Sequence, residues 1–418
     1  MRRSRQRTVL LALCLWAIGG AAHAAALTVD ECVRLALAHS PAAQAAGFDV
    51  DAASALVRAA LGAYVPRLAA HAEYGRSAGF DTAVTNGGST AAVLTVETSL
   101  LDGGLRDAQL NAARAHLRSA TARAQQRRAD VAFAVRTTYF TALDAHVEAL
   151  TQQDTQARLR EYVVLLQRQE SAGLVAHNDV LRARLAIETA SAAERAASAN
   201  ADAALNELAV ATGAAITPDT LAEPVVNRPA TPAEWIDRSP VLIDAQAAVD
   251  AARRDVDAVR SEWRGHMDLT ASGGALGVVP DTTFQDNRGG QFLLGFSVPL
   301  YDGGATTARV AAAMSTARSA EAALQESRRL LGTAMTRAIL EATRAEADRV
   351  GWQRALPDAA EHFELMRARY FGGGNVRLLE VLDALTQYVD AQLAVQRATL
   401  AYRIAIATQQ QLIGEVTP

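Results

Sequence analysis

The sequence contains no lysine: all 41 of its basic residues are arginine, and 45 acidic residues outnumber them. The resulting formal net charge of −4 gives no basic excess that would favour nucleic-acid binding. Aromatic residues are also scarce, at 5% of the 418 positions, whereas apolar residues make up 50% and charged residues 21%. This is the composition of a folded chain rather than a disordered one. The abundant alanine favours helices that approach one another closely.

Cysteine is almost absent, because only Cys14 and Cys32 occur. Cys14 lies in a predicted signal segment, and the Leu13 before it argues against lipid attachment, for which a small residue is needed there. Removal of that segment would leave a single thiol, so we predict no intrachain disulfide. We interpret Cys32 as a small buried residue of the first helix.

A long apolar run is missing as well. After the first 26 residues the sequence has no stretch of about twenty apolar residues, the length of a membrane-spanning helix. Residues 1–24 instead have the pattern of a signal peptide, with arginines before an apolar run from Val9 to Ile18. Ala22-His23-Ala24 or Ala24-Ala25-Ala26 fits the cleavage site. Loss of the arginines at 2, 3, 5 and 7 would take the formal charge from −4 to −8. An exported protein of this kind is either soluble or a membrane β-barrel.

An internal repeat of about 200 residues organises the chain. Four landmarks recur in the same order with offsets of 199, 200, 201 and 201. They are Ser40-Pro41 with Ser239-Pro240, Leu100 to Gly104 with Leu300 to Gly304, Gly173 with Gly374, and Thr212-Gly213 with Ile413-Gly414. We therefore predict two structural repeats, residues 25–217 and 232–418, joined by a linker at 218–231.

Each repeat has the same predicted order of elements, which gives a mainly helical α+β fold. A short helix precedes two segments that each have about the length of one tilted membrane strand. Their alternation is weak and, taken alone, fits a soluble hairpin better. A very long helical tract, a glycine turn and a second helix follow; such a tract is about 100 Å long. Strands are predicted at about 67–76, 92–101, 266–276 and 291–301, and helices at 105–172, 175–211, 305–372 and 376–412.

One chain of this kind supplies four strands. An open four-stranded sheet would leave backbone groups unpaired in hydrocarbon, so a membrane location requires several chains. Three copies give about twelve strands, a plausible size for a barrel. The long hairpins would then pack on neighbours around a ring.

The residues that make up these elements resemble the TolC family of bacterial outer-membrane efflux proteins from about Leu27 to Gly414. The matching segments are LTVDECVRLALAHSP (27–41), VPRL (65–68), SLLDGGLRDAQLNAA (99–113), VPLYDGGATTARVAAA (298–313), GLVAHNDVL (173–181) and GGGNVRLLEVLDA (372–384). The resemblance implies a trimer with a twelve-stranded β-barrel in outer-membrane lipid, continued by a periplasmic α-helical barrel. It also implies docking onto a periplasmic adaptor (membrane fusion) protein and an inner-membrane efflux transporter. One departure is the junction at Trp263-Arg264-Gly265, which lacks the proline that Pro66 supplies in the first repeat.

An acidic pair near the second glycine turn is the principal site candidate. Glu380 and Asp383 are three residues apart on a predicted helix and therefore share a face. Without the family resemblance, an ordinary solvated face would be the better interpretation. With it, the pair is expected to line the channel entrance, where three chains would form two carboxylate rings that attract cations. Arg182 replaces the second acid in the first repeat and is a possible gate partner from a neighbouring helix.

The glycine turns are the second candidate. Gly173 and Gly372, Gly373 and Gly374 are expected to reverse the chain between antiparallel helices. A structural turn explains them fully, and the resemblance adds that these hairpin tips face the adaptor.

The sequence offers no catalytic constellation. The Gly-Gly pairs at 103–104 and 303–304 lack the Lys-Ser/Thr of a phosphate loop and are interpreted as strand-to-helix junctions. The eight histidines have no metal-ligand spacing. We therefore expect no enzyme activity, no cofactor and no metal site. The leading hypothesis is an efflux conduit for a cargo that the sequence does not identify. The alternatives are type I protein secretion and, in another class, a soluble periplasmic coiled-coil scaffold.

Overall fold

The computed structural model of the chain describes residues 27–76, 78–79, 89–224, 235–278, 288–374 and 376–416. The predicted signal peptide, part of the predicted linker and much of the loop within each strand pair lie outside these ranges. No helix within them is both long enough and apolar enough to cross a membrane.

The four predicted strands form one antiparallel sheet in chain order: β1 Arg67–Tyr74, β2 Ser89–Leu101, β3 His266–Val278 and β4 Arg288–Ser297. In the first hairpin Arg67 lies opposite Glu97, and in the second His266 lies opposite Ser297. The two hairpins therefore have the same register: β3 corresponds to β1 with a shift of 199 residues, and β4 corresponds to β2 with a shift of 200. The last strand stops before its predicted end at residue 301 because Pro299 has no N–H to donate to a strand ladder.

Helices of equal length occupy equivalent places in the two repeats, which confirms the duplicated fold. The bounds are α1 Val29–His39, α2 Pro41–Gly62, α3 Leu105–Ser171, α4 His177–Thr212, α5 Trp235–Arg238, α6 Pro240–Ser261, α7 Ala305–Phe371 and α8 Leu378–Ile413. Helices α2 and α6 have 22 residues each, α3 and α7 have 67, and α4 and α8 have 36. Helix α7 continues through Pro357, the one proline within it.

The Asp-Gly-Gly segments cap the long helices. Asp102 accepts hydrogen bonds from the backbone amides of Gly104 (3.0 Å) and Arg106 (2.8 Å). Asp302 makes the equivalent pair of bonds at the start of α7, at 3.0 and 2.6 Å. Burial on its own would raise the pKa of Asp102, but the amide bonds outweigh it and hold the pKa below its ordinary value. Both aspartates therefore bind backbone amides at the helix start from two residues before the N-cap glycines, Gly104 and Gly304, so each Gly-Gly pair is a strand-to-helix junction.

The junction that lacks a proline is closed by glycine. A 3₁₀ turn, Glu262–Arg264, leads into Gly265 at φ +74°. A Cβ atom on Gly265 would lie 2.7 Å from the carbonyl oxygen of Ser297, so the end of β4 approaches the backbone too closely for any other residue. Arg264 donates to the carbonyl of Gly103 at 3.1 Å and so ties this junction to the first Asp-Gly-Gly segment.

A buried cluster lies where α1, α3 and the C-terminal segment meet. The hydroxyl of Tyr139 lies 2.9 Å from the carbonyl oxygen of Leu27 and 2.6 Å from that of Ala222. Buried Arg136 donates to the carbonyl of Val416 at 2.9 Å. Cys32 is buried in the same cluster, and burial raises the pKa of its thiol to about 11. The ends of the described chain are thus anchored to the middle of α3.

Candidate functional site at the hairpin tips

The first tip joins α3 to α4. After α3, Gly173 adopts a left-handed backbone conformation at φ +72°. The amide of Leu174 then donates to the carbonyl of Gln169 at 2.9 Å. This bond, five residues back along the chain, closes a Schellman C-cap and satisfies one of the last helix carbonyls. Leu174 itself remains 75% exposed at the end of the hairpin.

The second tip uses the same cap with a different glycine. The left-handed residue is Gly373 at φ +80°, and the amide of Gly374 donates to the carbonyl of Arg369 at 2.7 Å. Gly173 therefore corresponds in conformation to Gly373, not to Gly374 as the sequence match suggested. Gly372 and Gly374 are needed for space, because a Cβ atom on either would lie 2.8 Å from a carbonyl oxygen of the preceding turn.

The acidic pair lies on the first turns of α8, directly after this tip. Glu380 is half-buried and accepts a hydrogen bond from Arg377 Nε at 3.0 Å. Asp383 is exposed and accepts one from the neutral side chain of Gln387 at 2.9 Å. Each acid thus has a partner within four residues along the chain; that of Glu380 is a cation, whereas that of Asp383 is neutral.

Arg182 lines an open groove of about 530 Å³ between α3, α4 and α8. The residues of α8 that line this groove include Leu379, Thr386 and Asp390 but not Glu380 or Asp383. Among the described residues of one chain, the predicted gate arginine therefore shares this groove with Asp390 rather than with the predicted acid pair.

Asp390 is a further acid of α8, exposed like Asp383, that the sequence pattern did not single out. It follows Asp383 by seven residues, which is two helical turns, so the two carboxylates lie on the same side of α8. Leu379 lies four residues before Asp383 and Thr386 lies three residues after it, so both are on the same side of α8 as the two aspartates. This coiled-coil spacing was the signal that could have identified Asp390.

The two tips contact each other within the chain. Leu378 at the start of α8 is buried against Leu166 and Val180 of the first hairpin. Tyr370 packs at the edge of this cluster, and its pKa is raised first by burial and then by the nearby carboxylate of Asp179. Because Asp179 and Tyr370 are far apart in sequence, no local pattern could have predicted that they meet.

Across the described ranges, no group of three or more His, Cys, Asp and Glu side chains is placed to hold a metal ion. The acids of α8 are instead arranged along one helix.

Comparison with known proteins finds a match to the family described as outer membrane efflux protein, over residues 32–214 and 231–415. Protein CyaE of Bordetella pertussis is 30% identical over 389 residues, which cover 88% of this chain and 79% of that protein. Outer membrane protein TolC of Escherichia coli is 26% identical over 387 residues, covering 87% of this chain and 78% of that protein.

The fold is also similar to solved structures. The open state of the MtrE outer membrane channel of Neisseria gonorrhoeae superposes with a TM-score of 0.82 at 18% sequence identity. The alignment covers 94% of this chain and 93% of that one. At this identity the likeness concerns the fold, and it includes both repeats.

Proposed function

Because the chain belongs to the outer membrane efflux protein family, we propose that it is the outer-membrane channel of a tripartite efflux system. It lies in the bacterial outer membrane, with a large periplasmic part, and acts as a passive conduit for small molecules. The observation that carries the proposal is the occurrence, twice in one chain, of a strand pair followed directly by a 67-residue helix.

The sheet supports assembly into a trimer. Its two edges, β1 and β4, have no further strand beside them among the described residues, and open edges are not tolerated in hydrocarbon. Large apolar side chains of β4 are open to the surroundings: Phe292 is 84% exposed and Phe296 is 67% exposed. Three copies would pair all edges in a twelve-stranded barrel whose outer face suits lipid.

The helices support a long periplasmic extension. A 67-residue helix rises about 100 Å at 1.5 Å per residue, whereas an ordinary globular helix has about 12 residues. In the trimer, six such hairpins would form an α-helical barrel that continues the β-barrel. Solutes would pass through its centre without leaving the protein.

The tips support docking of a periplasmic adaptor, with the inner-membrane transporter behind it as the source of energy. They are the ends of the long hairpins, and their turn residues Gly173 and Leu174 are exposed. The acids Glu380 and Asp383 lie in the first two turns of α8, directly after the second tip. In a trimer they would form two rings at the entrance, and Asp390 would add a third ring deeper in the channel. Arg182 remains a candidate partner for these acids across a boundary between copies.

Fractionation of cells tests the proposal. The protein should be recovered from the outer membrane in detergent as a trimer by native mass spectrometry, and it should conduct ions in planar bilayers. Recovery as a soluble periplasmic protein would contradict the proposal and favour the scaffold alternative. Comparing dye efflux with polypeptide secretion in a deletion strain would separate small-molecule export from protein export.

A further inference from the structure

We propose that α7 of one copy packs on α2 of the next copy in the same way as α3 packs on α6 inside the chain, with Arg318 and Asp51 forming an ion pair between copies. This inference rests on the proposed trimer and assigns residues of the contact between its long and short helices. The occupant of the open face is thus a second copy of this chain.

The contact inside the chain joins the long helix of the first repeat to the short helix of the second. Arg118 of α3 forms an ion pair with Asp250 of α6 at 2.8 Å. Arg123 pairs with Asp244 at 3.0 Å, and the hydroxyl of Ser119 donates to Asp244 at 2.5 Å. This boundary between the repeats is called the internal seam.

The equivalent helices have no such contact in one chain. Helix α6 packs extensively on both α7 and α3, whereas α2, all of whose residues are described, packs extensively only on α3. By the internal repeat, the missing neighbour of α2 is an α7 helix. The α7 helix of the same chain is already packed on α6, so a second copy must supply it.

The burial of equivalent small side chains also differs between α3 and α7. Along α3, small residues spaced by four and three positions form a buried stripe that includes Ser119, which bonds to Asp244 across the internal seam. The equivalent residues of α7, 200 positions later, are also small but are all exposed. The buried residues are Ala108, Ala112, Ala115, Ser119 and Ala122, and their exposed counterparts are Ala308, Ala312, Ser315, Ser319 and Ala322.

The short helices α6 and α2 also differ in the burial of equivalent residues. Ala247 and Ala251 share the face of Asp244 on α6, and they are only 2% and 3% exposed. Their equivalents on α2, 199 positions earlier, are Phe48 and Ala52. Phe48 is 69% exposed and Ala52 is also exposed, as expected for a face that another helix covers in the assembly.

Charge complementarity identifies the pair. Arg318 is the equivalent of Arg118, 200 positions later in the sequence. Asp51 is the equivalent of Asp250, 199 positions earlier, so both charges are retained. Both side chains are exposed, and within the described ranges no ion pair involves either of them. The second internal pair is lost, because Arg123 and Asp244 correspond to Ala323 and Ala45. The seam between copies therefore has one ion pair in place of two and gains the ring of Phe48.

Cross-linking tests this register. In a Cys32→Ala background, Ala45→Cys and Ser319→Cys are combined, because they are equivalent to Asp244 and Ser119, which touch inside the chain. A short bis-maleimide should join most chains into covalent dimers and trimers on a denaturing gel.

Two control pairs define the result. Asp244→Cys with Ser119→Cys should react within one chain and leave only monomers on the gel. Ala45→Cys with Ala308→Cys places the second thiol on the same stripe but about 16 Å away, and linkage should fall at least several-fold. A trimer by native mass spectrometry that is not linked, or that is linked equally well by the displaced pair, would overturn the inference. Absence of the trimer itself would instead refute the proposed assembly.

Charge exchange tests the ion pair independently of cysteine chemistry. Asp51→Arg or Arg318→Asp alone places like charges opposite each other and should reduce the trimer fraction at low concentration several-fold. Combining both changes should restore it. Equal losses in the single and double variants would show that these two residues do not face each other.

Discussion

At the residue scale, the two acids after the second tip differ in how their charges are compensated. Glu380 is bonded to Arg377, whereas Asp383 is bonded to the uncharged Gln387. A carboxylate next to a guanidinium presents little net charge to a passing ion, while one next to an amide keeps its full charge. If the pair lines the entrance as proposed, Asp383 should therefore provide most of the electrostatic field there.

We predict that Asp383→Asn lowers the cation selectivity of the channel more than Glu380→Gln does, and that the double variant lowers it most. The physical reason is the loss of three uncompensated charges per trimer at a narrow point of the pore. The measurement is the reversal potential in planar bilayers under a potassium chloride gradient, together with block by divalent cations.

The matched control is Glu326→Gln, which removes an exposed acid of α7 that is paired with Arg329. It should leave the reversal potential unchanged. If the Glu380 and Asp383 double variant kept the selectivity and divalent block of the native channel, neither residue would line the entrance.

At the element scale, the bounds of the long helices followed closely from the sequence. Helix α3 was predicted over 105–172 and spans Leu105–Ser171, because an Asp-Gly-Gly cap and a glycine turn fix its two ends. The fourth strand was predicted over 291–301 but spans Arg288–Ser297, since an apolar pattern continues past Ser297 although Pro299 cannot donate to the ladder.

Contacts between elements could not be predicted in the same way. The ion pair between Arg118 and Asp250 joins residues that only the tertiary packing brings together. The same holds for the groove that Arg182 shares with Asp390. Helical spacing states which residues share a face, but not which other helix that face will meet.

The repeat does predict one further pairing of strands. The two hairpins have identical registers after shifts of 199 and 200 residues, so the β2–β3 register can be transferred to β4 and the β1 strand of the next copy. Glu97 lies opposite Thr270 in the sheet. The same shifts bring Ser297 opposite His71 of the neighbouring copy.

We predict that His71→Cys and Ser297→Cys form a disulfide between copies, because residues directly opposite in neighbouring strands have close Cβ atoms. In a Cys32→Ala background, mild oxidation should yield covalent trimers on a non-reducing gel. Glu97→Cys with Thr270→Cys, the pair already formed inside the chain, should give monomers only. Efficient linkage of Ser297→Cys to Glu73→Cys in place of His71→Cys would reveal a barrel of different stagger.

At the scale of the whole molecule, the two repeats are equal in construction but unequal in their tips. The first tip carries Asp179 and Arg182 where the second carries Glu380 and Asp383. The buried contact of Leu378 with the first hairpin holds both tips together in the chain. Around a trimer the tips would alternate, so an adaptor would meet two kinds of site, and the entrance acids would come from one kind only.

The exposed leucine of the first tip gives a test of docking. We predict that Leu174→Asp reduces export of a fluorescent dye from cells several-fold and weakens co-purification of the adaptor, because it places a charge where an apolar contact is needed. The side chain is 75% exposed in the free chain, so trimer content and channel conductance should not change. Leu174→Met keeps an apolar side chain of similar volume and should retain export. Unchanged export by Leu174→Asp, with normal trimers in the outer membrane, would mean that the adaptor does not dock at this tip.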